Sequence, residues 1–212
     1  MLSQQEFNEL LPPYLHATAK GRIRDAISQF SQEGTIDYNG FYLTQSTDFL
    51  MQADMISSVK GLLWDEDSGE VTTGYNPAML ISNTCDVTAD NVRNINQKDA
   101  LFAPITPLNE YIDDCEKEDF TKSQIDSFLN VLRKQEFTNL FYLPPNPKNG
   151  KEYFVRLDRI YWLPLAQLRE TVKNLEKSRF LSLSQWAWYL FIVKLSLHTC
   201  RAPEEIERPE NV

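Results

Sequence analysis

Four short apolar runs crowd the middle of this chain: AMLIS at 78 to 82, ALFAPI at 100 to 105, FTNLFYL at 137 to 143 and EYFVRLDRIYWL at 152 to 163. Short apolar runs bounded by turn residues suit strands better than helices, which need longer periodic segments. On either side the spacing is helical. Residues 4 to 33 read as helix, with Phe7, Leu10 and Leu11 before Pro12-Pro13, then Ile23, Ala26, Ile27 and Phe30 until Gly34. The pattern turns strand-like near Gly40 and helical again at Pro164, which restricts the fold class to α+β. The expectation is a small antiparallel barrel over residues 40 to 164. An N-terminal helical arm (1 to 39) and C-terminal helices with an acidic tail (165 to 212) flank it.

Inside that frame, residues 108 to 134 read as a helical insertion, with Thr121 as an N-cap and Ile125, Phe128, Leu129 and Leu132 on one face. The turn PPNPKNGK, 144 to 151, predicts an antiparallel hairpin between its flanking strands. A last helix, capped by Ser182 or Ser184 and ending near Arg201, is apolar on two sides. Trp186, Leu190, Val193 and Leu197 form one stripe, with Trp188, Phe191, Ile192 and Leu195 partly on another. A helix of that kind must be covered twice, by the N-terminal arm or by a second subunit.

A length of 212 residues with no Gly/Ser linker indicates a single domain. The longest apolar run, WAWYLFIV at 186 to 193, falls far short of the roughly 20 residues a membrane span requires. MLSQQEFNEL lacks the basic and apolar stretches of a signal peptide, so the expected location is cytoplasmic. A net charge of −9, with acid gathered at 65 to 70, 113 to 119 and 204 to 210, opposes broad nucleic-acid binding. Cys85, Cys115 and Cys200 are widely spaced, which suits reduced thiols. With His16 and His198 they lack the close pairs of a structural zinc site, so no metal or cofactor is expected.

In order, the segments FLMQADMISSV, GYNPAMLISN, ALFAPITPL and YFVRLDRIYWLP resemble the strands of MazF/PemK-type toxins, over about residues 49 to 164. The resemblance implies an SH3-like β-barrel. It also implies where family function would reside, and there the chain departs from the pattern. The catalytic arginine that precedes the proline of the second motif is Asn76 here, before Pro77. At the head of the third motif, where the family carries Thr or Ser, stand Asp99 and Ala100, and the glycine of the Gly-Asp-Ile motif is Ala53. Metal-free phosphodiester cleavage needs a cation or strong donor where charge develops and a group to move the proton. The inherited positions supply neither, so the fold carries over further than the activity.

Two constellations remain. The loop Asn83, Thr84, Cys85, Asp86 and Arg93 leaves a core strand and is the candidate binding loop. Cys85 reads as a small buried end to that strand, with Asp86 accepting backbone N–H groups to open the turn. A nucleophilic thiol would need a nearby base, from His16 or His198. Arg93, Arg156, Asp158 and Arg159 form the alternative, nuclease-like groove. Strand alternation puts Phe154, Arg156 and Asp158 on one face and Val155, Leu157 and Arg159 on the other. The pairs Phe141-Tyr142 and Tyr161-Trp162 serve either as core or as base-stacking platforms. The sequence thus points to a non-catalytic barrel that binds a protein partner, in a bacterial or phage toxin-antitoxin or defence setting. A sequence-specific endoribonuclease acting on RNA is the alternative, and the final helix is a candidate homo-oligomer interface.

Overall fold

The computed structural model describes Gly21 and residues 36 to 45, 47 to 64, 69 to 88 and 98 to 199. The helical arm apart from Gly21 and residues 36 to 39, with His16, as well as Arg93, Cys200 and the acidic tail, lie outside the described residues.

Among the described residues there are seven strands: β1 (Met55–Trp64), β2 (Val71–Leu80), β3 (Asp99–Pro107), β4 (Leu140–Leu143), β5 (Tyr153–Arg156), β6 (Tyr161–Pro164) and β7 (Arg179–Leu181), the four apolar runs supplying β2 to β6 and β7 falling where no strand was expected. All pairings are antiparallel, in the order β4-β5-β3-β2-β1-β7, with β6 also paired to β3. The ladder is open, so the architecture is α+β with an unclosed sheet. It nevertheless curls sharply. Two strands separate β1 from β6, yet a Cβ on Gly61 would lie 3.1 Å from the Tyr161 ring. An added Cβ there would press on the ring, which would have to shift by a few tenths of an ångström.

The segment 152 to 163 is not the single alternating strand its sequence predicts. Val155 pairs with Ile105 and Tyr161 with Phe102, so six residues on one side span three on the other. The surplus is taken up by a 3-10 turn, Leu157–Arg159. Alternation ends there, and the expected two-faced arrangement of Arg156, Asp158 and Arg159 is corrected to a turn.

Helices cover both faces of the sheet: α1 (Thr84–Val87), α2 (Leu108–Lys117), α3 (Lys122–Arg133), α4 (Leu165–Thr171), α5 (Leu175–Ser178) and α6 (Gln185–Thr199). On one face Met55, Met79, Ala103, Ile105, Val155 and Phe141 pack with Ala187, Leu190 and Phe191 of α6. On the other, Ile56, Val59, Ala78, Leu80, Phe102 and Leu163 pack with Leu165 and Leu168. The far end of that face, Leu140, Tyr142 and Phe154, meets Leu108 and Leu132 of the insertion. Burial on both faces is why runs such as AMLIS are continuously apolar rather than alternating.

Local signals behave as the sequence predicts in several places. Thr121 and Gln124 make a reciprocal capping box at α3. The 144 to 151 turn closes a β4-β5 hairpin around Asn146, whose carbonyl accepts from the N–H groups of Asn149 and Gly150. The insertion is two helices: α2 ends at Lys117, and Asp119 takes the left-handed region (φ 62°) before the Thr121 cap of α3. One side of α6 is met by the chain itself: Trp186 Nε1 donates to the Gly40 carbonyl, and its ring meets Phe41 edge-on. Ser184 precedes α6, but its buried hydroxyl finds no hydrogen-bond partner among the described residues.

The α3 C-terminus shows how one residue ties three elements together. The Gln135 N–H donates to Leu132 and the Glu136 N–H to Val131, a Schellman ending that places Gln135 at φ 59°. Glycine is usual there. Here the Gln135 amide donates to the Tyr142 carbonyl (2.8 Å) and accepts the Tyr142 N–H (3.0 Å), imitating a neighbouring strand on the β4 edge. Its own carbonyl accepts the Lys194 Nζ of α6. Glycine could make only the last of these contacts.

Candidate functional site

A cleft of about 590 Å³ opens between residues 47 to 50, the end of α1, and α4 with the segment leading into α5. Its organising residue is Arg179, the first residue of β7 and opposite Ile56 of β1. The guanidinium donates through Nη1 to Thr47 Oγ1 (3.0 Å), the Phe49 carbonyl (3.0 Å) and Asp54 Oδ2 (2.9 Å), and through Nη2 to the Thr47 carbonyl. The same Oδ2 accepts the Met51 N–H, and Oδ1 accepts the Ser182 hydroxyl at 2.6 Å. Ser182 therefore serves this network and not the α6 cap. Asp54 and Arg179 side chains are only 1% and 3% exposed. Burial pushes the Asp54 carboxyl above its ordinary value, opposed by the donors from Ser182, Met51 and Arg179. The loop from Thr47 to Asp54 is thus wrapped around a buried cation, and it forms one wall of the cleft.

The tight turn into Asp54 depends on Ala53, which takes φ 69° with its methyl fully buried. This is the position where the resembled toxins carry glycine, and a left-handed alanine costs roughly 1 kcal/mol.

The candidate binding loop is only partly as expected. Asn83 accepts the Cys85 N–H at 3.1 Å and caps α1. Thr84 Oγ1 accepts the Gln52 N–H at 2.9 Å, tying the loop to the turn before β1. Cys85 is exposed, which corrects the expectation of a buried strand end. The short helix rotates the thiol outward, and Val87 two residues on fills the apolar space. Val87 and Thr88 reach the cleft rim. Asp86 lies inside α1, one residue before Val87.

The nuclease-like set is arranged differently. Arg156 donates to Asp158 through Nε (2.9 Å) and Nη2 (2.8 Å), a bidentate pair across two residues. That bond raises the guanidinium's proton affinity and holds the Asp158 carboxyl below its usual range. Arg159 is exposed on the turn. The ladders opposing Ala78 to Pro104 and Val155 to Ile105 put Asn76, Pro104 and Arg156 on one sheet face. Ala100 is fully buried in β3, opposite Leu163 of the neighbouring β6. Of the aromatic candidates, Phe141 and Tyr142 are core, Tyr161 lies against Phe102, and Trp162 is exposed.

Sequence reasoning missed Arg179 and the cleft. The only advance signal was a lone arginine between Ser178 and the apolar pair Phe180-Leu181. No family model, curated protein or solved structure matches the chain. Among the described residues no helix is long and apolar enough to cross a membrane.

Proposed function

We propose that this chain is a non-catalytic binding module on a MazF/PemK-like, SH3-type barrel, recognising a protein partner as a regulator or adaptor in a bacterial or phage toxin-antitoxin or defence setting. One observation carries the non-catalytic part: Arg156 is closed on Asp158 through two hydrogen bonds. A phosphoryl-transfer site aims its cation at the position where charge develops, with the donors preorganised for it. A guanidinium already satisfied by a carboxylate two residues away would have to break that pair first. Asn76 on the same face brings an amide and no charge. The barrel reading is supported by the curl of β1, β2, β3 and β6 around the Ile56, Leu80 and Phe102 cluster. The biological setting rests on the sequence resemblance alone.

The endoribonuclease alternative keeps one observation in its favour, the shared face of Asn76 and Arg156. Incubating the protein with a mixed RNA pool, in EDTA and in Mg²⁺, separates the readings. The expected result is no specific cleavage by the parent or by Arg156→Ala. Specific cuts by the parent that vanish in Arg156→Ala would replace the binding module with the nuclease.

A further inference from the structure

We infer that the outer edge of β2, residues 71 to 75, pairs with the same edge of a second copy of this chain, the two strands antiparallel about a two-fold axis at Thr73. The inference goes beyond the protein-binding reading and does not depend on it. Its first support is the direction of backbone groups. The Leu80 N–H donates to the Asp54 carbonyl on one side (2.9 Å), and the Ile81 N–H to the Leu101 carbonyl of β3 on the other (2.8 Å). Successive residues of a strand aim at opposite edges, so the even-numbered residues of β2 serve β1 and the odd-numbered ones the β3 side. The bulge between Ile56 and Val59 puts its extra residue in β1 and leaves the alternation of β2 intact. Pro77 agrees, because a residue without an N–H is tolerated in a strand where it faces away from the paired neighbour.

On that side β3 pairs with β2 only as far as Ala78, opposite Pro104, and its continuation, 105 to 107, pairs with β5 and not with β2. β1 stays paired with β2 out to Trp64, opposite Val71. The N–H and C=O groups of Val71, Thr73 and Tyr75 therefore face outward with no strand beside them among the described residues. Such an edge selects an extended strand as its occupant, and proteins that avoid the contact blunt the edge with charge or proline. The stretch VTTGYN, 71 to 76, has neither.

Self-complementarity selects a second copy. With Thr73 opposite itself, Val71 faces Tyr75 of the other copy, and each opposed pair exchanges two N–H···O bonds. The side chains fit the same register. Val71 and Tyr75, 58% and 66% exposed, would make a β-branched and aromatic cross-strand pair on each side of a threonine pair. Charge fits it too: the chain carries a net −9, yet along 70 to 76 Glu70 falls opposite Asn76 and no like charges meet.

A single strand pair is smaller than a standard interface, so the dimer should dissociate at about 10 to 100 μM protein. Sedimentation velocity on the full-length protein, below and above that range, should show monomer passing to dimer. Thr73 is exposed, so Thr73→Lys and Thr73→Glu place like charges opposite each other without disturbing a core. Each should weaken self-association about tenfold or more. An equimolar mixture of the two variants should regain it, which follows from position 73 facing itself and which a damaged fold does not produce. Leu197→Lys, at the exposed apolar position of α6, should leave the dimer unchanged. A parent that stays monomeric, Thr73 variants that dimerise as the parent does, a mixture that stays monomeric, or dissociation by Leu197→Lys would each overturn the inference.

Discussion

Asp54 with Arg179 and Asp158 with Arg156 are the same chemical pair at the same 2.8 to 2.9 Å separation, placed in two different environments. The first joins residues 125 apart in sequence, is buried, and is held in place by five further hydrogen bonds, four of them to the loop. The second joins residues two apart, with side chains 25% and 30% exposed, and stabilises a 3-10 turn. A buried pair is costly to assemble, and still more costly to break, because the orphaned charge has nowhere to go. A solvated local pair can be broken cheaply, since water replaces the partner. The first should therefore shape the molecule, and the second only its surface.

The largest expected effect breaks the buried pair. Arg179→Met or Asp54→Leu alone should destabilise by about 3 to 5 kcal/mol in urea unfolding, and the double variant should recover a substantial part of that loss. Single losses under about 1 kcal/mol would erase the distinction between the two pairs.

Lys194 sharpens the comparison as a buried cation whose bonded partner is a carbonyl, with Glu136 the charged group that acts on it. Burial lowers its pKa from 10.5 to about 8, and Glu136 opposes that shift. Between those values the unfolded chain binds more protons than the folded one, so stability should rise with pH. The rise should be on the order of 3 kcal/mol for a group so fully buried. It should be present in the parent between pH 7.5 and ~10 and absent in Lys194→Met. Parallel curves for the two proteins would mean that the amine is not desolvated.

Gln135 tests a neutral hub. Gln135→Ala loses both bonds to the β4 edge while keeping the left-handed backbone, an expected loss of about 2 kcal/mol. Gln135→Gly should lose less, by roughly 1 kcal/mol, because glycine accepts φ 59° without strain. Thermal melts of the two variants in the opposite order would show that the left-handed backbone at Gln135 carries no strain for glycine to relieve.

The smallest effect belongs to the surface pair. Arg156→Ala should change stability by less than about 1 kcal/mol at neutral pH. Asp158 has a depressed folded pKa, so the pair's contribution is complete above the unfolded carboxylate value and fades as pH falls through the folded one. The difference between parent and Arg156→Ala should accordingly shrink in acid, and a difference that grows there would contradict the pairing.

Much of the fold was legible because its signals are local. The Thr121 capping box, the Pro- and Gly-rich 144 to 151 hairpin and the runs that became β2 to β6 depend on a few neighbouring residues each. The 3-10 turn at Leu157–Arg159 escaped because its cause is a register mismatch against β3, and no property of YFVRLDRIYW itself reports where its partner strand starts. Cys85 was read as buried since cysteine usually is, and a four-residue helix turned it outward instead.

The site divides along the same line. The sequence by itself determined the α+β class, the runs that became β2 to β6, the antiparallel hairpin and the uncharged Asn76 where the resembled toxins carry arginine, all matters of residue type and short spacing. Only the tertiary structure decided that Arg179 would meet Asp54, that Ala53 would adopt a left-handed turn to allow it, and that Val87 and Thr88 would border the same cleft as Arg169. Those relations follow from how the curled sheet brings distant segments together. Charge and packing act through space, across separations that periodicity along the chain does not encode.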